Sequence, residues 1–407
     1  MLKKNIKFYK NFSNVLLIHF INILSPILVY KHVISNIGVD NFGKIIYHLA
    51  INGFFVLIVS YGFNLYSLRE ISLNRLNLKK ISDIFSQTLS IKLTLLLLIF
   101  TVVGSINYFN YNRSDFYLSI LTFYVCIDEI ANFFFYYAGI EKTKIYSRII
   151  AFQKFLTALI VLYILNNDNI LIYPLILFLL SLCFFVFNFF YLIKKENINF
   201  KFLLSLDTVR SAWTSFTIVS LPTLYIHLTK ISITLFSSKE IIVIYEIIEK
   251  ISNLLKRPLV VLTQTLLPKT SFDKDVNFIN KITKYLFLAY IFIIILSFSL
   301  NKIIFTFFID DSFYDSYKNI IIFSFLISLA TIPIALLSNI LGFQKLLAFG
   351  KENLLQRGLF FGFLTFIVLT IFSALFFEIS IIVQLLVLSI TEITVLTILY
   401  KLNYRKL

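Results

Sequence analysis

The chain has few charged residues, two cysteines and no long polar segment. Charged side chains make up 14% of its 407 residues, whereas 59% are hydrophobic and the mean hydropathy is +0.87. A soluble protein of this length shows a largely polar surface, which this composition cannot supply. Cys126 and Cys183 both fall inside apolar stretches. They indicate helix packing and say nothing about the redox compartment.

The sequence also lacks the segments on which soluble chemistry depends. There is no Gly-rich phosphate loop, no His/Cys cluster with metal-ligand spacing, and no Ser/His/Asp set outside the apolar stretches. Connections between those stretches do not exceed about 20 residues, too short for a catalytic domain. We therefore expect no enzyme activity, no cofactor and no metal site.

What the sequence has instead is twelve apolar stretches, each long enough to cross a bilayer. A span needs about 20 predominantly apolar residues. The predicted spans are 12–34, 43–67, 83–108, 115–138, 143–166, 170–193, 209–236, 240–267, 278–300, 317–341, 353–376 and 379–400. This pattern predicts an all-α integral membrane protein with about 12 transmembrane helices.

The net charge of +16 is unevenly distributed between the connections on the two sides of the predicted membrane. About 25 Lys and Arg residues lie in the even-numbered connections and the two tails, against about 6 in the odd-numbered connections. This bias predicts that both termini are cytoplasmic. The excess also favours contact with anionic membrane lipids and requires no nucleic-acid partner.

The most polar interruption between spans falls near the midpoint of the chain. It predicts an N-terminal six-helix lobe over 1–194, a cytoplasmic linker over 195–208 and a C-terminal six-helix lobe over 209–407, as in parallel-repeat transporters. Pro26 and Pro222 lie in the first span of each lobe. Membrane helices tolerate proline, but a mid-span proline kinks a helix, and the matching positions favour a hinge.

Six basic residues lie inside the predicted spans and not in the connections between them. If they faced lipid, their combined cost would be on the order of 15–20 kcal/mol, so most should face a polar interior. Lys230, near the outer end of its span, is expected to snorkel to the interface. The six are Lys92, Lys154, Lys230, Lys250, Lys256 and Arg257.

The eighth span carries the densest polar pattern. Glu246, Lys250, Asn253 and Arg257 are spaced by four, three and four residues and share one helix face. Glu246 and Lys250 can pair at i,i+4, which lowers the cost of burying both. We favour a hydrated, net-basic cavity wall, and the alternative is a salt-bridge ladder that only joins helices.

Three carboxylates in the spans are candidates for ion coupling. Asp128 and Glu129 are adjacent, so they point about 100° apart and cannot line one site equally. A desolvated carboxylate could carry a proton in a coupling step. Glu249 is the third candidate. The alternative is that these acids neutralise Lys or Arg on neighbouring helices.

A series of short motifs runs in a fixed order along most of the chain: Asn11-Phe12, 36–43, Tyr61-Gly62-Phe63-Asn64-Leu65, 69–72, 139–142, Lys154, Tyr245, Glu249-Lys250, 267–268 and 341–342. In this combination the chain resembles the Wzx-type flippases of O-antigen and capsular polysaccharide repeat units, members of the polysaccharide transporter family related to MATE exporters. It departs at Ser60, where the family often has an acid, and in lacking the Trp and Gln before Gly139.

This resemblance implies a fold, a cargo and a set of contacts. The fold would be two six-helix lobes around a V-shaped cavity with alternating access and a cation-rich lumen. The cargo would be an undecaprenyl-diphosphate-linked oligosaccharide. Lys154, Lys250 and Arg257 are the first candidates for its diphosphate, because Arg makes bidentate contacts and Lys acts as a point charge. Glu246 and Asn253 would orient them, Lys92 and Lys256 are second choices, and the candidate sugar contacts are Tyr47, Asn52, Tyr61 and Asn64.

The resemblance also implies a place and partners. We expect a multi-pass protein of the bacterial inner membrane in O-antigen and lipopolysaccharide biosynthesis, coupled to H⁺ or Na⁺ as an antiporter and working beside the polysaccharide polymerase and chain-length machinery. The main rival is a cation-coupled multidrug exporter of the MATE type, against which a net-basic lumen argues. A polymerase would need a sizeable outer loop, and a peptidoglycan-precursor flippase two more helices.

Overall fold

The computed structural model describes residues 2–165, 169–273 and 276–404, and these residues form helices and short connections without a β-strand. The helices of the first half are α1 Leu2–Ile37, α2 Val39–Ser60, α3 Phe63–Leu73, α4 Leu78–Asn110, α5 Arg113–Leu121, α6 Tyr124–Ile130, α7 Phe134–Gly139, α8 Thr143–Ile164 and α9 Ile172–Lys195. Those of the second half are α10 Leu206–Phe236, α11 Lys239–Asp273, α12 Val276–Ser299, α13 Asn301–Thr306, α14 Asp311–Asn339, α15 Glu352–Phe376 and α16 Ile381–Tyr404. A π-helix, Ile340–Leu347, continues α14.

Eleven of the described helical segments are long and apolar enough to span a membrane. The all-α membrane architecture predicted from apolar run length is confirmed. The eighth predicted span, 240–267, is helical as part of α11 but is the one predicted span that is not among the eleven found in the described residues. The reason is its charge: Glu246, Glu249, Lys250, Lys256 and Arg257 all lie in its first two thirds.

Two of the eleven spans divide into separate α-helices joined by turns inside the apolar stretch. Val39–Leu73 breaks at Tyr61 and Gly62, which both take left-handed backbone conformations (φ 43° and 70°). Arg113–Gly139 breaks twice, between α5 and α6 and between α6 and α7. Interrupted helices leave backbone groups without intrahelical partners, and in membranes such groups need polar neighbours.

The chain divides into two compact units. Unit 1 comprises Met1–Ile34 and Leu228–Leu407, and unit 2 comprises Ser35–His227. The chain therefore passes from one unit to the other inside α1 and again inside α10. The units differ from the predicted lobes, 1–194 and 209–407, in these two helices, and the lobes as moving parts of a transport cycle stay a prediction.

A row of serines on α4 holds the connector between α9 and α10 within unit 2. The hydroxyls of Ser82, Ser86 and Ser90 accept hydrogen bonds from the backbone N–H groups of Asn199 (3.3 Å), Lys201 (3.1 Å) and Leu203 (3.0 Å), respectively. The serines recur every four residues on a helix, and the N–H groups every two residues on an extended chain. We call this arrangement the serine ladder.

Removal of the serine ladder should loosen this connector. Replacing Ser82, Ser86 and Ser90 together with alanine should lower the free energy of unfolding by about 2–4 kcal/mol, since each hydrogen bond contributes roughly 1 kcal/mol. Trypsin cleavage after Lys201 should become faster. Ser105→Ala on the same helix is the control, because its hydroxyl bonds only to the Thr101 carbonyl one turn back. Equal cleavage rates in the two proteins would contradict the expected role.

Candidate functional site

Glu246 of α11 is the centre of a charged cluster inside unit 1. Its side chain is 2% exposed. Its carboxylate accepts a hydrogen bond from the Tyr30 hydroxyl at 3.0 Å and lies 2.5 Å from Lys230 Nζ and 3.3 Å from Lys250 Nζ. Lys230 Nζ is also 3.1 Å from Glu249 Oε2. Three helices, α1, α10 and α11, thus meet at two acids and two bases.

The expectation that Lys230 snorkels to the interface is wrong. Its side chain is 11% exposed, and its ammonium lies between Glu246 and Glu249. These two carboxylates are three residues apart on α11, so both can approach one ammonium from the same side. Because the ammonium of Lys230 is paired with carboxylates, the cost of burying its charge is lower than for an unpaired lysine, which would remain in contact with water.

The predicted face of α11 is therefore only partly basic. Glu246 lies against Lys230 and Lys250 and offsets positive charge there. Its predicted i,i+4 pair with Lys250 is present. Lys256 is half-buried and interacts electrostatically with Glu392 and Glu249. Arg257 is half-buried too, and forms no salt bridge with any residue that the structure describes. Of the two cations on this face, Lys250 and Arg257, Arg257 is the one without a salt bridge to a described residue, and its contact with an anionic cargo stays a prediction.

A second charged cluster occupies unit 2 at the breaks of the two interrupted spans. Lys92 of α4 is 1% exposed, and its Nζ lies 2.9 Å from Glu129 Oε1 and 3.2 Å from Asn64 Oδ1. Asn64 Nδ2 in turn donates to Glu129 Oε1 at 3.0 Å. Asn64 is in the first turn of α3 and Glu129 in the last turn of α6. The cluster therefore ties the ends of two broken helices to α4.

The adjacent acids of unit 2 pair with different bases, as their angular separation requires. Asp128 Oδ2 lies 3.3 Å from Lys154 Nζ, with the two side chains 28% and 22% exposed. Glu129 pairs with Lys92. The geometry is that of the neutralisation alternative, and the coupling roles of Asp128, Glu129 and Glu249 stay predictions. Lys154 has an acid on a neighbouring helix that spacing along its own helix could not reveal.

The four candidate sugar contacts occupy different surroundings. Asn52 is buried and donates to the Ser119 carbonyl and the Thr122 hydroxyl, both at 2.9 Å, so it holds the end of α5. Asn64 belongs to the Lys92 cluster. Tyr61 stacks on Phe216 with ring centroids 4.8 Å apart. Tyr47 is half-buried against the edge of His48. Their contact with sugar stays a prediction.

The sequence profile of a family described as polysaccharide biosynthesis protein matches residues 8–272. The chain belongs to this family. Its predicted resemblance to the polysaccharide flippases is confirmed at the level of the family. A search of curated proteins gives no match.

Solved structures show that this polysaccharide biosynthesis protein has a MATE-like fold. An inward-facing multidrug resistance MATE family transporter of the MOP superfamily is 9% identical, with a TM-score of 0.73 over 95% of each chain. An outward-facing one is 10% identical, with a TM-score of 0.72 over 98% of this chain and 95% of the other. A MOP superfamily transporter from Pyrococcus furiosus is 11% identical, with a TM-score of 0.63 over 97% of both chains. Family and fold together make the protein a multi-pass membrane transporter.

Several residues of this family member were not anticipated from its sequence. Tyr30 bonds to Glu246 across α1 and α11. Asn132, in the break after α6, accepts hydrogen bonds from the Tyr146 hydroxyl at 2.9 Å and from the Phe134 N–H at 3.2 Å. Neither has a local sequence signal, because each partner is on another element or in an irregular segment. The serine ladder does have one, the four-residue recurrence of serine on α4.

The two candidate hinge prolines lie in the helices that connect the units of this transporter. Pro26 is inside α1 and Pro222 inside α10, each shortly before the point where the chain leaves one unit for the other. Both helices are continuous through the proline. The hinge role stays a prediction, now attached to the two helices through which the units are covalently joined. Among the described residues, no group of His, Cys, Asp and Glu could hold a metal ion.

Proposed function

We propose that the protein flips an undecaprenyl-diphosphate-linked oligosaccharide repeat unit across the bacterial inner membrane, for O-antigen or another surface polysaccharide. Membership of the polysaccharide biosynthesis family over residues 8–272 carries this proposal. The MATE-like transporter fold supports it, since flipping a lipid-linked sugar is a transport step of such biosynthesis. The polymerase and the chain-length machinery would be the partners that consume the flipped unit.

The diphosphate is the part of this cargo that demands most from the protein. Two negative charges inside a membrane require cations that are not already neutralised. In unit 1, Arg257 meets this requirement best, and Lys256 and Lys250 are the nearby lysines along α11. An arginine fork binds phosphate oxygens bidentately, while lysines add point charges. Asn253, on the same face, would donate to the sugar or phosphate oxygens.

Ion coupling fits the pair of Asp128 and Lys154 in unit 2. The side chains of Lys154 and Asp128 are 22% and 28% exposed, against 1% for Lys92 and 12% for Glu129. An anionic cargo that attracts Lys154 would leave the Asp128 carboxylate with less positive charge beside it and open to a coupling H⁺ or Na⁺. Glu249, which shares Lys230 with Glu246, could act in the same manner in unit 1.

A cation-coupled multidrug exporter is the alternative. It is favoured by the observation that Glu246 and Glu249 balance Lys230 and Lys250, so the α11 cluster is less basic than its sequence suggests. The family match does not favour it.

Loss of the α11 cations should stop surface polysaccharide without preventing membrane insertion. Arg257→Ala should reduce surface polysaccharide at least about tenfold, the effect of roughly 1.4 kcal/mol of lost phosphate contact, and Lys250→Ala should act in the same direction. The assay compares membrane abundance with surface polysaccharide in cells that depend on this transporter.

Lys302→Ala is the matched control for this experiment. Lys302 forms an exposed ion pair with Asp315, so its replacement should change neither the membrane abundance of the protein nor the amount of surface polysaccharide. Normal surface polysaccharide in both the Arg257 and the Lys250 variant would refute the proposed anion site. Efflux of a cationic dye by the wild type, with polysaccharide unchanged when the gene is deleted, would instead establish the exporter.

A further inference from the structure

Lys92 is the most deeply buried cation among the described side chains of unit 2, and three oxygens surround its ammonium. Its Nζ lies 2.9 Å from Glu129 Oε1, 3.2 Å from Asn64 Oδ1 and 3.4 Å from the Glu129 backbone oxygen. The ring of Phe135 lies beside it, with the centroid 5.6 Å from Nζ. At 1% exposure, the side chain cannot bind a cargo without leaving this position.

The oxygens come from places where helices are interrupted. Asn64 follows the left-handed turn at Tyr61 and Gly62, and Glu129 precedes the break between α6 and α7. Interrupted helices in transporters place carbonyl and carboxylate oxygens around coupling cations near the middle of the membrane. Here a carboxylate, an amide oxygen and a backbone carbonyl converge in the same manner, and a lysine from α4 supplies the positive charge.

The geometry around Nζ is that of an ammonium in a cation position. An ammonium has three donors and no acceptor, and it finds three acceptor oxygens here. The distances of 2.9–3.4 Å suit N–H···O hydrogen bonds, whereas hard metal ions lie about 2.0–2.6 Å from their oxygens. The aromatic ring adds a cation–π contact on a further side.

We propose that Lys92 is a built-in cation: its ammonium occupies the place of a free monovalent cation between the broken helices, so that unit 2 needs neither Na⁺ nor K⁺ here. This inference does not depend on the identity of the cargo. Its consequence is that Glu129 is permanently compensated and does not serve as the coupling carboxylate, which leaves that role to Asp128 or Glu249.

The test asks whether a free cation can replace the lysine. Thermal unfolding of the purified full-length protein is measured in choline, sodium, potassium and ammonium chloride at equal ionic strength. Wild type should melt at the same temperature in all four salts. Lys92→Ser leaves both the space and the Glu129 charge, so its melting temperature should rise by at least about 3 °C when choline is replaced by one of the small cations.

Two further variants serve as controls. Lys92→Met fills the space without a charge, so it should be destabilised in every salt and gain nothing from the small cations. Lys154→Ser removes a lysine from an ion pair whose side chains are 22% and 28% exposed, so it leaves no enclosed cation position and should show no cation preference. Equal melting of Lys92→Ser in all four salts, or an equal gain in Lys92→Met, would overturn the proposal.

A double variant covers the case in which Lys92→Ser does not accumulate. Lys92→Ser/Glu129→Gln removes both charges, so it should fold and melt at the same temperature in all salts. Recovery of the double variant when the single one fails would show that the uncompensated carboxylate is the defect, as the proposal requires. Failure of both would show that Lys92 is needed for packing regardless of its charge, and the proposal would fall.

Discussion

Glu246→Ala should lower the free energy of unfolding by about 3–5 kcal/mol, the usual cost of breaking a buried ion pair by removing one partner. Three interactions in this cluster would be lost. Lys230 would keep only Glu249, Lys250 would lose its i,i+4 partner, and the Tyr30 hydroxyl would lose its acceptor. The reason is that an unpaired charge left in a buried site is not rehydrated.

The measurement is denaturation of the purified protein, with Asp315→Ala as the control. Asp315 and Lys302 form an ion pair of the same kind, but their side chains are 60% and 57% exposed. Its loss should change the free energy of unfolding by no more than about 0.5 kcal/mol. A cost below about 1 kcal/mol for Glu246→Ala would mean that water enters the cluster and that the charges are not effectively buried.

A compensated variant separates charge from packing. In Lys230→Met/Glu246→Leu one base and one acid are replaced by apolar side chains of similar size, and Glu249 and Lys250 keep the cluster neutral. This protein should be more stable than Glu246→Ala, because a buried pair can often be exchanged for apolar groups at little cost. If the double variant were instead the less stable of the two, packing around Glu246 would dominate over its charge.

Gly62→Ala should lower the free energy of unfolding by about 3 kcal/mol or more, the largest loss we expect from replacing any single small residue in unit 2. Gly62 has φ +70°, and a Cβ there would lie 2.4 Å from the backbone nitrogen of Phe216 and 2.6 Å from its Cα. Backbone atoms of α10 cannot turn aside as a flexible side chain can. The turn at Tyr61 and Gly62 would have to move away from α10, and with it Asn64 in the Lys92 cluster.

Comparison with Gly350→Ala separates the steric part of this effect from the backbone strain. Gly350 has nearly the same backbone angle, φ +72°, but a Cβ there would meet nothing within 4 Å. Its replacement should therefore cost only the strain of a left-handed alanine, about 1–2 kcal/mol. Denaturation and membrane abundance of the two variants are compared side by side. Similar losses in both would show that α10 yields to the added methyl group.

The sequence was sufficient for the spans because they follow from local composition. The predicted span 353–376 differs by one residue from α15, Glu352–Phe376, and the i,i+4 pair of Glu246 and Lys250 is present at 3.3 Å. Both depend on residues within a few turns of each other, where helix geometry fixes the distance.

The partners of the other buried charges depend on packing between helices. Nothing in the spacing assigns Lys154 to Asp128 or Lys92 to Glu129, since the residues of each pair lie on different helices. The partners of Lys230, Glu246 and Glu249, also lie on another helix, so its own span does not reveal that it is buried. The break at Gly62 is also set from a distance, by the backbone of Phe216 on α10. Long-range contacts therefore decide which cations are compensated, and with that which of them can serve as anion sites.

The serine ladder has a consequence for how the connector can change in evolution. Its hydrogen bonds use the backbone of Asn199, Lys201 and Leu203 and none of their side chains. Almost any amino acid with an N–H group can occupy these positions, so the composition of this stretch can drift freely. Its length cannot, because one inserted or deleted residue would shift every second N–H group out of step with the hydroxyls. Homologous connectors should therefore vary in sequence while they keep their number of residues and avoid proline at alternate positions.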